Sequence, residues 1–468
     1  MDAIETPAHA VLRQLRTLLP PDRVLTDLSS RESLARDQLR RRRAFRLPPD
    51  VPAPPLAAVL PRGTDDVAAV LHLADELGVP VVEHGGGTGL MGGALCLKPA
   101  IVLDMRAMHR VLAVSVEDRS VTVEAGAVLA DVGAALAPHG LILGHDPWTY
   151  PIATVGGAIS TNSLGYRGGR YGSMAEQVLG LTVVLPSGAV VRTRAVPRSS
   201  TGPRLHQLFA GAEGVLGVIT EATLRVFPLP ERRRLLAFDF PSFEHGFTAA
   251  QAMFQTGLTP ALLDFGAPPR QGRGRMYLGF EGLTEEVEAG APRAQALCRE
   301  HGGINVGEEA AREFWASRHV TADQIQAWRR LEQREPVPGE PGSSVFDYLH
   351  VALPPSRVLE YVRRCTALFE SRGIQVREWG LWYGPELLSV AITRATNTPA
   401  EVELVVRAVD EALMLAQDLG GTMEYVHGVG IRYAHLMARE HGYGLEVLRA
   451  IKRALDPHGV LNPGKLGL

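Results

Sequence analysis

Hydrophobic residues recur along this chain with the two periods that separate strands from helices. Short apolar runs bounded by turn residues predict strands in the first half, at residues 57–61, 79–82, 101–104, 111–116, 120–124, 179–185 and 189–192. Apolar residues at helical spacing predict helices at residues 8–46, 64–77 and 128–138, and we expect the first of them to be exposed. The first half is therefore predicted to be an α+β unit.

The pattern changes near residue 230, where two prolines and a charged run precede a new strand. Beyond it, predicted strands and helices alternate, with strands at residues 235–240, 275–280, 348–352 and 387–393 and helices at residues 285–301, 355–372 and 399–419. This order is typical of an antiparallel sheet with helices on one face. We therefore predict a second α+β domain that begins at residue 231.

The size and charge of the chain narrow the classes of protein to which it can belong. A chain of 468 residues with 46% hydrophobic content exceeds the size at which a single core stops growing, so we expect two domains. A net charge of −3 argues against a nucleic-acid binder. The cysteines form no Cys-x-x-Cys pair, which fits a reducing compartment. Without a secretory signal or an apolar run long enough to cross a membrane, we expect a cytoplasmic protein.

A glycine-rich loop at residues 81–94 follows a short predicted strand. It contains Gly87-x-Gly89-x-x-Gly92, which matches the dinucleotide fingerprint of a Rossmann unit. The next predicted strand, at residues 101–104, follows too closely for the crossover helix of that unit. We therefore interpret the loop as a nest of backbone amides that binds a pyrophosphate. A glycine-rich turn with no ligand is the alternative.

Two later segments also combine glycines with a neighbouring strand. Residues 147–165 contain a glycine pair, small hydroxyl residues and Asn162, and residues 211–220 contain three glycines. Backbone amides and small polar side chains are suited to a large polar ligand. Together with the first loop, the three segments indicate one extended ligand bound along its length.

Five motifs in a fixed order resemble one known family. They are residues 81–94, residues 153–157 with Thr161-Asn162, Tyr171-Gly172, residues 213–220 and residues 455–465. The chain resembles the FAD-linked oxidases with the vanillyl-alcohol-oxidase (p-cresol methylhydroxylase, PCMH) type of flavin domain. The similar branch contains D-lactate dehydrogenase, alkylglycerone-phosphate synthase and a glycolate oxidase subunit.

The resemblance implies an α+β fold in three parts. Residues 1–230 would form a two-subdomain PCMH-type FAD-binding domain. Residues 231–420 would form an α+β cap, or substrate domain, with an antiparallel sheet. Residues 421–468 would return to the FAD domain.

The resemblance also implies a set of FAD-binding residues. The pyrophosphate would meet the glycine loop, and the later segments would line the rest of the cofactor, giving His84, Gly85, Gly86, Gly87, Thr88, Gly89, Leu90, Trp148, Thr154, Gly157, Thr161, Asn162, Ser163, Glu213, Gly217, Val218, Ile219 and Asn462. Relatives with covalent flavin can carry a histidine just beyond the loop glycines. Thr88-Gly89 stands in that region here, so we expect non-covalent FAD.

Four residues are candidates for catalysis. Arg318 lies in a segment that resembles the family's Trp-x-x-Arg element, whose arginine faces a substrate carboxylate, and a surface arginine is the alternative. His427 corresponds to the histidine of the Glu-His-Gly-x-Gly element and is the predicted general base. Tyr425 and Tyr383 are the alternative bases.

Departures from the family pattern bear on metal and substrate. The histidine-rich segment of metal-dependent relatives is absent, and Val426 replaces the glutamate that precedes the histidine. We therefore expect no metal, since His427 alone cannot hold one tightly. Four aromatic residues are expected to line the pocket instead and to favour a larger or less charged substrate, such as a phenolic alcohol, namely Trp379, Trp382, Tyr383 and Tyr425.

The leading functional hypothesis is an FAD-dependent oxidase or dehydrogenase. It would transfer a hydride from an alcohol or 2-hydroxy-acid carbon of a small molecule to flavin N5, without a metal. A redox-neutral transferase or lyase that resembles alkylglycerone-phosphate synthase is the second hypothesis, and a catalytically reduced FAD-binding protein is the third. The sequence leaves open whether the protein forms a homodimer.

Overall fold

The computed structural model describes residues 7–48, 50–269, 272–332, 334 and 336–468. Its α-helices are α1 Pro7–Leu18, α2 Leu28–Leu34, α3 Thr64–Leu77, α4 Leu129–Leu136, α5 Val155–Ser160, α6 Gly168–Tyr171, α7 Met174–Gln177, α8 Leu205–Phe209, α9 Phe243–Gln255, α10 Thr284–Glu300, α11 Glu308–Ser317, α12 Ala322–Glu332, α13 Pro355–Ser371, α14 Pro399–Asp418, α15 Met437–His441 and α16 Gly444–Leu455. Short 3-10 turns occur at Pro21–Arg23, Met105–Ala107, Ala137–His139 and Ala434–Leu436.

The strands form four sheets across the described part of the chain. They are β1 Val24–Leu25, β2 Ala57–Val59, β3 Val81–His84, β4 Ile101–Asp104, β5 Val111–Ser115, β6 Ser120–Glu124, β7 Leu141–Ile142, β8 Val178–Val184, β9 Val190–Arg192, β10 Val218–Arg225, β11 Phe227–Pro228, β12 Arg232–Phe240, β13 Leu262–Ala267, β14 Gly274–Gly282, β15 Ile304–Asn305, β16 Ser344–Ala352, β17 Gln375–Trp382 and β18 Leu387–Ala395.

Two sheets build the first part of the molecule. One has the order β1-β2-β4-β3, with β4 parallel to both β2 and β3. The other has the order β5-β6-β10-β8-β9 and is antiparallel throughout. Helix α3 packs against β8 and β10 of the second sheet. The chain between β3 and β4 holds no helix, which confirms that the glycine loop does not belong to a Rossmann crossover.

A seven-stranded antiparallel sheet dominates the second part, in the order β15-β12-β14-β13-β17-β18-β16. Helices α9, α10, α13 and α14 pack against it, as the alternating pattern predicts. Side chains alternate between the faces of a strand, and on β16 this places Phe346, Tyr348 and His350 together on the wall of a cavity. Helix α11 also packs on β12 and β14, where Phe314 stacks on Tyr277 at 4.2 Å.

The last residues of the chain return to the first sheet. The amide of Val81 donates to the Val460 carbonyl at 2.8 Å, and the amide of Asn462 donates to the Val81 carbonyl at 2.8 Å. Lys465 is fully buried, and its Nζ donates to the Leu95 carbonyl at 2.8 Å. The end of the chain thus closes the edge of β3 beside the glycine loop.

The expectation for residues 8–46 was wrong. This region holds two short helices and irregular chain, and Leu15 and Leu19 are buried in the core because α1 packs on α3. Within this range the helical prediction is correct only for α1, which ends at Leu18, and for α2, Leu28–Leu34. Within the described residues, no helix is both long enough and apolar enough to cross a membrane. The domain boundaries at residues 230 and 420 stay predictions.

Candidate active site

One cavity of about 520 Å³ lies where the glycine segments, the cap sheet and the C-terminal return meet. This volume falls in the range of small-molecule and cofactor sites. Its walls include every predicted cofactor residue except His84 and Asn162. The fold therefore brings together glycine segments that are far apart along the chain.

The glycine loop presents a row of unpaired donors to this cavity. The amide N–H groups of Gly86, Gly87, Thr88 and Gly89 donate to no oxygen of the described residues. Of these four residues only Gly87 is buried, and backbone donors without a protein partner are satisfied by water or by a ligand. Successive free amides of this kind form an anion-binding nest, which fits the pyrophosphate of FAD.

Close packing behind the loop explains its glycines. A Cβ on Gly85 would lie 2.3 Å from Oγ1 of Thr154, and one on Gly86 would lie 2.4 Å from the Ile152 carbonyl oxygen. Gly87 has φ +62°, a left-handed conformation that favours glycine. The loop thus lies directly against the second glycine segment.

His84 and Asn162 support the cavity from behind its wall. The His84 ring lies under Gly87, with Nε2 3.3 Å from the Arg36 carbonyl oxygen, and burial lowers its pKa. Asn162 has φ +47°, and its Oδ1 accepts a hydrogen bond from the Ala175 amide at 3.0 Å. Both positions were predicted to bind the cofactor, and neither side chain lines the cavity.

Glu213 joins the third glycine segment to the C-terminal part of the site. It is buried with φ +47°, and its carboxylate accepts hydrogen bonds from the amides of Val429 and Gly430 at 2.7 and 2.9 Å. Burial raises its pKa to about 7, although those two hydrogen bonds oppose the shift. The Asn462 amide group donates to the carbonyls of Gly93 and Glu213 at 2.8 and 2.7 Å. These contacts hold the turn that carries His427, two residues before Val429, against the glycine segments that line the cavity.

His427 lines the cavity with its side chain 24% exposed. Its Nδ1 lies 3.7 Å from Oε1 of Glu424. That oxygen also accepts hydrogen bonds from the amides of Tyr425, Val426 and His427, at 2.8 to 3.1 Å, and so holds the turn in place. The imidazole therefore has a carboxylate beside one nitrogen.

A second histidine, His350 on β16, lies beside the first. The two rings meet edge to face with centroids 4.5 Å apart. His350 is 1% exposed, and neither of its ring nitrogens has a hydrogen-bond partner among the described residues. Burial, with the charge of His427 as a further cause, lowers its pKa well below the usual value. The sequence analysis missed this residue, although Phe346, Tyr348 and His350 alternate along one strand and therefore share a face.

Neither predicted tyrosine lines the cavity. The hydroxyls of Tyr383 and Tyr425 are buried without a partner among the described residues, and burial raises the pKa of each well above its usual value. A phenol that stays protonated cannot act as the base at neutral pH. Their buried surroundings therefore make both tyrosines poorer candidates than His427 for the catalytic base.

The aromatic wall differs in part from the predicted one. Trp382 lines the cavity with Tyr166 and Tyr348, and Tyr166 stacks on Trp382 at 6.2 Å. Trp379 lies instead in the core, 2% exposed and packed on Tyr361. Its expected place in the pocket was wrong, because a spacing of three along a strand puts two side chains on opposite faces.

Arg318 does not line the cavity. Its Nε and Nη2 lie 3.3 and 3.1 Å from Oδ2 of buried Asp146, and its guanidinium stacks on Trp315 at 3.7 Å. A substrate carboxylate at Arg318 would have to compete with Asp146. Binding of a substrate carboxylate by Arg318 stays a prediction, and it requires the substrate to compete with Asp146.

Four consecutive arginines, Arg40-Arg41-Arg42-Arg43, are expected from the sequence to form a solvated face, but Arg43 lines the cavity. Its Nη1 donates to Oδ1 of Asp347 at 2.9 Å, and Arg432 pairs with the same carboxylate. Arg40 and Arg42 lie over the rings of Trp328 and Phe346. The expectation failed because the run packs on the cap, where two guanidinium groups share one carboxylate and leave a positive charge on the wall.

Two family models cover most of the chain. Residues 55–194 match the FAD binding domain, and residues 229–466 match the C-terminal domain of FAD linked oxidases. The chain therefore belongs to the FAD-linked oxidases, and FAD is its cofactor. The predicted family and the predicted cofactor are confirmed.

Individual relatives agree with this assignment. The chain is 28% identical to glycolate oxidase subunit GlcD of Bacillus subtilis, over 89% of this chain and 90% of that protein. It is 31% identical to D-lactate dehydrogenase of Archaeoglobus fulgidus, over 87% and 90%. It is 26% identical to alkyldihydroxyacetonephosphate synthase of Trypanosoma brucei brucei, over 97% and 80%.

A solved structure confirms the predicted fold class. The structure of p-cresol methylhydroxylase with substrate bound aligns with a TM-score of 0.78 over 100% of this chain and 98% of that chain, at 18% identity. At this identity the likeness speaks for the fold alone. The α+β architecture with a PCMH-type flavin domain is therefore established, and the reaction has to be argued from the site.

Proposed function

We propose that this protein oxidises an alcohol or a 2-hydroxy acid at its CH–OH carbon. FAD supplies a hydride acceptor, flavin N5, when it is bound. The observation that carries the proposal is the position of His427 in the wall of the cavity that the glycine segments also line. The names of two relatives refer to 2-hydroxy acids, namely glycolate and D-lactate, and this supports the same chemistry.

In this proposal His427 takes the proton of the substrate hydroxyl. Glu424 lies on the Nδ1 side of the ring, so Nε2 is the nitrogen that faces the substrate. A carboxylate beside one nitrogen orients the imidazole and leaves the other nitrogen to accept a proton. Aromatic side chains of Tyr166, Tyr348 and Trp382 form the apolar part of the cavity wall.

An anionic group on the substrate has two candidate partners. Arg318 is the residue that the family pattern favours, and Arg43 is the arginine in the cavity wall. Arg43 shares Asp347 with Arg432, so its charge is only partly neutralised. We propose Arg43 as the better placed of the two. The aromatic wall favours a substrate larger than glycolate, since Trp382, Tyr348 and Tyr166 offer flat apolar surface.

The test is anaerobic reduction of the bound flavin. Purified protein is mixed without oxygen with glycolate, D-lactate, larger aromatic 2-hydroxy acids and phenolic alcohols, and the flavin absorbance is followed. Bleaching by one class identifies a redox enzyme and its substrate class. Flavin that no candidate reduces, while dithionite does reduce it, would contradict the proposal. Denaturing the same sample should release intact FAD, because we propose that the cofactor is not covalently bound.

A redox-neutral transferase is the second candidate. Its support is the synthase of Trypanosoma brucei brucei, which matches 97% of this chain. Such an enzyme would convert its substrate without net bleaching of the flavin. Product formation from an acylated or phosphorylated substrate with the flavin still oxidised would favour this reaction.

A further inference from the structure

His350 is a buried polar side chain on the cavity wall that lacks a hydrogen-bond partner. The residue is 1% exposed and lines the cavity, and neither ring nitrogen has a partner among the described residues. The rings of Tyr348, Trp382 and Tyr425 meet it edge to face, with centroids 4.6, 5.5 and 5.7 Å away, and satisfy neither nitrogen. A buried polar group of this kind destabilises the folded protein unless water or a ligand bonds to it.

The surroundings of His350 keep its imidazole neutral. Burial lowers its pKa well below the usual value, and the charges of His427, Arg43 and Arg432 lower it further. A neutral imidazole has one N–H donor and one nitrogen lone pair, whichever tautomer is present. The cavity wall therefore carries a hydrogen-bond donor at His350 that has no positive charge.

His350 and His427 are close enough to bond to the same oxygen atom. A ring nitrogen of His350 lies within 4.8 Å of a ring nitrogen of His427. Hydrogen bonds of about 2.9 Å allow one oxygen to reach two nitrogens that are up to about 5.8 Å apart. Both side chains line the cavity, so an oxygen atom between them can contact both imidazoles.

The two histidines differ in their neighbours, and this difference separates their roles. The carboxylate of Glu424 lies 3.7 Å from Nδ1 of His427, whereas neither nitrogen of His350 has a carboxylate partner among the described residues. A base becomes cationic when it takes a proton, and burial without a counter-charge opposes that change at His350. His427 is therefore the base of the pair, and His350 is the donor.

We propose that His350 is a second catalytic residue, whose N–H donates a hydrogen bond to the hydroxyl oxygen of the substrate. This inference rests on the proposed oxidation at CH–OH. In that reaction the hydroxyl proton passes to His427, the hydrogen on carbon leaves with its electron pair as a hydride to the cofactor, and the electrons of the O–H bond complete the carbonyl group. Negative charge builds on the oxygen as its proton leaves, and a donor held in an apolar site stabilises that charge. The proton of His350 stays on His350.

The test uses His350→Phe in FAD-loaded protein, because phenylalanine keeps a planar ring and removes both nitrogens. With a substrate that bleaches the parent, we expect anaerobic flavin reduction to slow by about 10²–10³-fold. The Kd of the substrate should change little, because the hydrogen bond strengthens only as charge builds on the oxygen. Reduction by dithionite should keep the parent rate.

Thermal melting distinguishes this role from a structural one. The melting temperature of His350→Phe should stay the same or rise, because a buried polar group without a partner has been removed. A histidine that only supports the fold would give the opposite pattern, with a lower melting temperature and the parent rate of reduction. His350→Leu carries the same test if the phenylalanine ring prevents folding.

The pH profile separates the donor from the base. Flavin reduction should slow at low pH in the parent and in His350→Phe alike, because that limb of the profile belongs to protonation of His427. His435→Phe is the matched control and should reduce its flavin at the parent rate, since His435 is half exposed and pairs with Asp410 away from the cavity.

Three results would overturn the inference. A folded His350→Phe or His350→Leu variant that reduces its flavin at the parent rate would show that His350 meets water at most. Loss of the acidic limb in His350→Phe would make His350 the base instead of the donor. Parent protein that no alcohol or 2-hydroxy acid reduces would overturn the proposed function and this inference with it. The first result leaves the proposed function standing, so the two failures are distinguishable.

Discussion

Replacing Gly86 by alanine should weaken FAD binding while the protein stays folded. The added Cβ would lie 2.4 Å from the Ile152 carbonyl oxygen and 3.2 Å from Cα of Ala153. Both of these are backbone atoms, so no side-chain rotation can relieve the contact. The loop has to move away from the second glycine segment.

The size of the effect follows from the distance that the loop must move. Ordinary contact begins near 3.4 Å, so the loop shifts by about 1 Å at this point. A shift of that size breaks or bends the hydrogen bonds that the amides of residues 86–89 offer to the pyrophosphate. Each bond to a charged group is worth about 1.5–3 kcal/mol. Losing one or two of them should raise the Kd for FAD by about 10-fold to 10⁴-fold.

The assay is titration of flavin-free protein with FAD, followed by the change in flavin fluorescence. Gly63→Ala is the matched control, since a Cβ at Gly63 meets no atom within 4 Å and its backbone is extended. The flavin-free forms of both variants should melt within a few degrees of the parent. A folded Gly86→Ala variant with the parent Kd would refute the assignment of this loop to the pyrophosphate.

Three further predictions concern other parts of the site. Replacing His427 by alanine should slow anaerobic flavin reduction by about 10²–10⁴-fold, and reduction at the parent rate would show that the base is another group. Arg43→Leu should raise the KM of an anionic substrate by about tenfold or more while a neutral substrate is unaffected, and the same result from Arg318→Leu alone would restore the role that the family pattern gives to Arg318. Burial lowers the pKa of His145 to about 3, whereas the unfolded chain has the ordinary value near 6.5. Since the unfolded state therefore binds the proton first, the free energy of unfolding should fall as pH drops below 6.5, by about 2 kcal/mol at pH 5, and thermal melts at pH 7 and 5 should show a smaller drop in His145→Gln.

The cofactor half of the site could be predicted because its signal is local. Each glycine segment follows or precedes a strand, and its backbone geometry depends on residues a few places apart. Gly85 and Gly86 line the cavity because only glycine fits against Thr154 and Ile152 at these positions, and Gly87 has a left-handed backbone with φ +62°. His84 and Asn162 were predicted to bind the cofactor because they stand beside cavity-lining residues in the sequence. Whether such a residue lines the cavity depends on the direction of its own side chain, which the sequence pattern does not give.

The substrate half depends on contacts that no local pattern reveals. Arg43 is held at the cavity wall by its ion pair with Asp347, which lies 304 residues further along the chain. His350 comes beside His427 because a strand of the cap and a turn of the C-terminal part converge. Arg318 was a reasonable candidate from its motif, but the pairing with Asp146 depends on tertiary structure.

The return of the chain to β3 has a consequence for how the protein matures. Lys465 and Leu95, which bond to each other, stand 370 residues apart. While the ribosome is still making the cap, the loop beside Leu95 lacks the segment that closes its sheet edge. Domains usually fold as units as they emerge during synthesis, but this one must wait until residues 460–465 have been made. Capture of FAD is therefore expected only after the whole cap has been synthesised.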